Sequence, residues 1–149
     1  MSSAEFPFRW KVDAGLAALI IPPLVHIVPL HRLARWLGRP RAAPSRAEVP
    51  DIRAAAWVDR QLRRLPWPWR RTCLKRAAVL YHILRRNGTS VELRIGVRRN
   101  DSGELAAHAW LTLENRCYLE PGFQAGERED RVADFTEIAC FPEQQPTSR

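Results

Sequence analysis

Hydrophobic and polar positions divide the chain into an apolar beginning, two helical stretches and a set of alternating strands. Residues 14–30, Ala-Gly-Leu-Ala-Ala-Leu-Ile-Ile-Pro-Pro-Leu-Val-His-Ile-Val-Pro-Leu, form the most apolar run. Prolines at 22, 23 and 29 interrupt it, and a proline inside a helix removes a hydrogen bond and crowds the preceding turn. The pattern predicts a short helix to about Ile21, a break at Pro22-Pro23 and a second apolar segment. The run is near the lower length limit for a membrane span, and a span must satisfy its backbone internally. A core or partner-docking role fits it better, with His26 a packed histidine and no ligand. Residues 31–37 read as a basic amphipathic turn or two, and Gly38 to Pro50, rich in Pro, Arg and Ala, as a loop or linker.

A helix is expected from about Pro50 to Leu65. Ile52, Ala55, Ala56, Val58 and Leu62 give it an apolar side, and Arg53, Arg60, Arg63 and Arg64 a basic one. Pro66-Trp67-Pro68-Trp69 ends it. The next helix has Thr72 as its N-cap and Cys73 as its first residue. Cys73, Ala77, Leu80, Tyr81 and Leu84 follow at helical spacing, and Asn87-Gly88 supplies a left-handed cap. Beyond it, Val91, Leu93, Ile95 and Val97 alternate with Glu92, Arg94, Gly96 and Arg98, the signature of a half-buried strand. After a turn at residues 100–103, Leu105 to Leu113 reads as a second strand. One of its faces carries Leu105, Ala107, Ala109, Leu111 and Leu113, the other Ala106, His108, Trp110 and Thr112. A third strand starts at Cys117-Tyr118-Leu119-Glu120 and ends at Pro121-Gly122. The rest reads as a charged loop, a short apolar segment (Phe135, Ile138, Phe141) and a polar tail. This is an α+β chain without internal repeats.

With 149 residues, 46% of them hydrophobic, and six Trp, one folded domain with its own core is expected. The net charge of +8 is carried almost wholly by Arg and points to an acidic partner. The three cysteines at 73, 117 and 140 have no metal-type spacing, and their odd number fits a reducing cytoplasm. No metal or cofactor is implied.

Cys73 is the strongest candidate for chemistry. A thiol at a helix N-terminus feels the positive end of the macrodipole, and Arg70, Arg71 and Lys75 add charge nearby, so thiolate is favoured. A lone cysteine is nonetheless often simply buried. A helix starting at Cys, followed by antiparallel strands presenting His, is the order of a papain-like or transglutaminase-like cysteine enzyme. Of the four histidines, His82 lies about 900° around the same helix from Cys73 and faces away. His26 and His31 sit in the N-terminal region, which leaves His108 as the base. The orienting group depends on hairpin register. A three-residue loop at 114–116 pairs Trp110 with Glu120, puts Glu120 diagonally from His108 and sends Cys117 to the core. A two-residue loop inverts both. Trp67 and Trp69 fit walls of a substrate groove and ordinary core equally well, and Trp110 is a further candidate for the groove.

Four blocks, Thr72-Cys73-Leu74-Lys75-Arg76-Ala77, Leu84 to Gly88, Arg94 to Arg99 and Ala107-His108-Ala109-Trp110, resemble the bacterial transglutaminase-like leader peptidases of lasso-peptide biosynthesis, of the microcin-J type. The resemblance covers roughly residues 50–142, with 1–49 as an apolar helical extension and linker and 143–149 as a tail. It implies a papain/transglutaminase-like core and a cytoplasmic cysteine peptidase that removes the leader of a ribosomally made precursor, freeing the core peptide for a separate lasso cyclase. It places the family's Cys and His on Cys73 and His108, and its usual Asp on Glu120. With only the short 1–49 segment ahead of the peptidase region, it also implies the stand-alone form, with a separate small leader-recognition protein. The Cys73 backbone N–H is the expected oxyanion donor.

Two other readings stay open. The same residues would serve a transglutaminase-type acyl transferase. A basic module binding nucleic acid or a membrane surface is the other, although no nucleic-acid motif is present and none is expected as partner.

Overall fold

The helix that begins at Cys73 is the axis of the molecule. The computed structural model describes residues 7–39, 50–69, 72–121 and 132–142. Among them are α1 (Phe8–Ile27), α2 (Leu30–Leu37), α3 (Asp51–Arg64), α4 (Cys73–Arg86), β1 (Glu92–Arg99), β2 (Leu105–Leu113), β3 (Arg116–Tyr118) and β4 (Thr136–Phe141). Thr72 caps α4 as its sequence predicts, its hydroxyl accepting from the Lys75 N–H at 3.3 Å. Gly88 closes it with φ +90°, and the Thr89 N–H returns to the Leu84 carbonyl at 2.9 Å. Every residue from Lys75 to Tyr81 is buried, as are Ile83 and Leu84. The predicted apolar face is therefore real, but packing reaches nearly all round the helix.

Helices α1, α2 and α3 lie on α4, which in turn packs on β1 and β2. The sheet has the order β3-β2-β1-β4 and is antiparallel throughout, so the α+β class holds. Val91, Leu93, Ile95, Ala109 and Leu111 join α4 in one core with Trp10, Ala14, Ala17, Ala18 and Ile21 of α1. On α3 the buried residues are Ala54, Ala55, Val58 and Leu62. Ile52 and Ala56, expected on that face, are instead exposed, while the four arginines stand in solvent as expected.

The expected break at Pro22-Pro23 does not occur: α1 continues through both prolines to Ile27. Pro23 has no N–H for the carbonyl four residues back, Leu19. That carbonyl takes the Trp69 indole N–H at 2.6 Å instead, so an orphaned acceptor becomes a tie to the loop before α4. The helix is long and apolar enough to cross a membrane by length and composition, and it is also a core helix of this fold. Its other side exposes Phe8, Val12, Leu16, Leu19, Ile20 and Ile27. His26 is exposed at its end, not packed as expected.

The β2–β3 hairpin turns on two residues, Glu114 and Asn115, both at positive φ (52° and 64°). Leu113 pairs with Arg116 and Thr112 with Cys117, so the three-residue register is wrong. Cys117 consequently shares the Thr112 side of the sheet and is half-buried, off the leucine face where the longer loop would have put it. β4 appears in the sequence only as a short apolar segment. Ile138 is the extra residue of a bulge between the Ile95–Ala139 and Gly96–Glu137 pairs. Phe141 and Ala139 pair with Leu93 and Ile95 on the core face, so Phe141 is buried while Ile138, off that face, is exposed. The loop at 40–49, the charged segment 122–131, the tail 143–149 and the cations Arg70 and Arg71 lie outside the described residues.

Candidate active site

Cys73 emerges half-buried at the first position of α4. β3 covers β2 only along Leu111–Leu113, and the helix start meets β2 just beyond that cover. There the thiol hydrogen-bonds the His108 imidazole and receives the backbone N–H groups of Ala109 and Leu74. On the far side of the ring, His108 Nε2 lies 3.2 Å from Glu120 Oε2. Nε2 is thus committed to the carboxylate, and Nδ1 is the ring nitrogen left for the thiol. The structure brings Cys73, His108 and Glu120 into one chain of contacts. The side chains of His108 and Glu120 are 27% and 15% exposed, a partly screened pair.

Glu120 arrives by a route the strand pattern hides. Continued pairing from Tyr118 would set residue 120 opposite Ala109, on the face away from His108. Pairing instead stops at Tyr118, and Leu119 adopts φ +56°. One left-handed residue breaks the alternation and turns Glu120 back to the imidazole.

Electrostatically, the thiol and the ring reinforce each other. The hydrogen bond from His108 is the largest influence on Cys73 and lowers its pKa; burial opposes it, and the two backbone N–H groups assist. His108 is raised from 6.5 to about 9, first by Cys73 and then by Glu120, against burial. Both shifts favour a thiolate–imidazolium pair at neutral pH. His108, more than nearby cations, is the main cause. Lys75 directs its ammonium to the Pro68 carbonyl at 2.6 Å.

The imidazole is also walled in. Trp110 stacks on it at 5.9 Å and 15°, and Phe135 leans on it at 5.5 Å. Gly96, which pairs with His108, makes this possible. A Cβ there would come within 2.9 Å of both Trp110 Cη2 and Phe135 Cβ. Of the three tryptophans considered for a groove, Trp110 is only 4% exposed and supports the ring from below. Trp69 is held by Leu19. Trp67, 77% exposed, stands in solvent. Phe135, Gly96 and the turn at Leu119 are the contributors that sequence reasoning missed. Phe135 was visible only as an apolar position without an element. His82 faces away as expected, stacked on Trp36 and held at Nδ1 by the Leu37 carbonyl at 3.2 Å.

A Cys-first helix laid across an antiparallel sheet that presents an imidazole is the architecture of papain- and transglutaminase-type enzymes. The chain belongs to the transglutaminase-like superfamily, whose family model matches residues 16–140. That match begins inside α1 and ends in β4, so it takes in most of the described core. Superfamily members are cysteine peptidases and transglutaminases, enzymes of thiol-dependent acyl transfer. No curated protein and no solved structure shows significant similarity to the chain.

Proposed function

We propose that this protein is a cysteine peptidase that removes the leader from a ribosomally made lasso-peptide precursor, using Cys73 as nucleophile. The observation that carries the chemistry is the Cys73–His108–Glu120 chain of contacts. The four sequence blocks resembling lasso leader peptidases, with their Cys and His on two of these residues, carry the substrate class.

The Cys73 thiolate attacks the scissile carbonyl carbon, and the Cys73 backbone N–H, at the open start of α4, is positioned to receive the oxyanion. His108 then gives its proton to the leaving amine as the C–N bond breaks, leaving a thioester on Cys73. Neutral His108 takes a proton from water, whose hydroxyl oxygen attacks the thioester. The C–S bond then breaks, the leader is released as its acid, and the thiolate returns beside a protonated His108; the core peptide has already left as the amine. Glu120 holds Nε2 throughout and stabilises the imidazolium.

The peptidase works in the cytoplasm, a setting that suits three cysteines in no disulfide. A separate small leader-recognition protein presents the precursor, and a lasso cyclase uses the product. The outward apolar side of α1, Val12, Leu16, Leu19, Ile20 and Ile27, suits the docking of such a partner.

Incubation with a leader–core precursor and its recognition protein, read by mass spectrometry, tests the proposal. Two fragments summing to the precursor plus one water are expected, and none with Cys73→Ala. An amine-modified or cross-linked product without fragments would replace hydrolysis by transglutamination. A salt-sensitive complex with generic DNA and no cleavage would point to a binding module.

A further inference from the structure

We infer that Arg76 is a positioning residue that sets the direction of Glu120 by holding the Leu119 carbonyl. The inference rests on the reading above that His108 and Glu120 work as a pair. Its ground is the one irregular residue in the path from β3 to the carboxylate. β3 ends at Tyr118, Leu119 adopts φ +56°, and Glu120 then meets His108 Nε2 at 3.2 Å. An L-residue with a branched apolar side chain disfavours that backbone region, so something outside the turn must hold it there.

Arg76 is suited to do so. It is 5% exposed and lies one turn beyond Cys73 on α4. Its Nη2 donates to the Leu119 carbonyl at 2.7 Å. The guanidinium plane is itself fixed by Asp59 of α3, with Nε on Oδ1 at 2.7 Å and Nη2 on Oδ2 at 3.2 Å. A planar fork gripped on one edge has little freedom in where it points its other donors. The Leu119 side chain meanwhile packs against the core. The turn is therefore pinned twice, by its carbonyl and by its side chain, and the residue that follows is delivered to the imidazole. One helix thus supplies the thiol and, through Arg76, orients the backbone that carries the acid. Arg76 touches neither the thiol nor the imidazole in this arrangement; it acts through Leu119 and Glu120.

The test is a substrate-free titration of His108 by NMR, its resonance assigned with His108→Gln, in the parent, Arg76→Gln, Glu120→Gln and the double variant. Arg76→Gln keeps some polarity but cannot grip Asp59 and Leu119 together. Its His108 pKa should fall to about the value in Glu120→Gln, and the double variant should fall no further. With precursor, Arg76→Gln should lower kcat and leave KM within about twofold. Leu119→Gly in the Arg76→Gln background supplies a residue at ease at positive φ and should restore part of the His108 shift. If Arg76→Gln does not fold, Arg76→Lys keeps a cation against Asp59 but loses the fork; it should show the same fall in smaller measure. A folded Arg76→Gln or Arg76→Lys with the parent titration would overturn the inference, as would a fall in the double variant equal to the sum of the singles. Because the titration needs no substrate, it stands or falls apart from whether the substrate is a lasso precursor.

Discussion

Removing the carboxylate from His108 is the most informative single perturbation, because its size can be worked out from the contact. Glu120 Oε2 meets His108 Nε2 at 3.2 Å, with the two side chains 15% and 27% exposed. A hydrogen bond to a charged partner nets about 1.5–3 kcal/mol, and each ~1.36 kcal/mol is tenfold in rate. Allowing for partial screening, Glu120→Ala should lower kcat/KM by about ten- to hundredfold. Glu120→Gln keeps an acceptor and loses only the charge. Neutral hydrogen bonds are roughly half as strong as charge-assisted ones, so its loss should be about three- to tenfold. The pH dependence has a definite sign. The thiolate exists above the lowered Cys73 pKa, and the imidazolium persists below about 9. Activity should plateau between these limits. Loss of Glu120 withdraws one of the two influences raising His108, so the basic limb moves to lower pH while the acidic limb moves less. The assay is kcat/KM for precursor cleavage across the pH range, with circular dichroism to establish folding. A folded Glu120→Ala with parental rate and an unmoved basic limb would refute the orienting role.

Gly96→Ala places a Cβ 2.9 Å from Trp110 and Phe135; overpacking of this kind costs about 1–3 kcal/mol, so Tm should fall and kcat should fall with it as the His108 stack shifts. Trp69→Phe removes the donor to the Leu19 carbonyl that Pro23 leaves open, and thermal unfolding should show a loss of about 1 kcal/mol with little change in kcat. Leu16→Gln with Ile20→Gln, both on the exposed side of α1, should leave Tm unchanged and abolish stimulation by the recognition protein, an effect read mainly in apparent KM for the precursor.

The site's nucleophile and base were legible because each rests on a local signal. Thr72 before an apolar helical spacing marks the start of α4, and His108 is the one histidine left once helical geometry and segment position remove the others. The β1–β2 pairing follows from strict alternation and its short turn. Glu120 was found for a mistaken reason. The assumed three-residue loop is a two-residue turn, and the left-handed Leu119 restores the face that register would have lost. A single residue at positive φ leaves no trace in a hydrophobic pattern. Nor does the rescue of a helix across Pro22-Pro23, which depends on an indole 50 residues away. β4 was missed because it is short and its last four residues, Ile138 to Phe141, are all apolar, which leaves no period-two signal.

Competition among the three thiols tests the central claim most directly. The protein is treated with limiting iodoacetamide at about pH 6, where only a depressed thiol is appreciably ionised, and the label is mapped by peptide mass. Cys140, raised by burial and by Glu92, should react slowly. Cys73 should carry nearly all the label, its rate should stay high well below its ordinary 9.0, and His108→Ala should abolish that advantage. Labelling that falls first on Cys117 or Cys140, or a Cys73 rate that rises only near 9.0 as for an ordinary thiol, would contradict the assignment of Cys73 as the activated nucleophile.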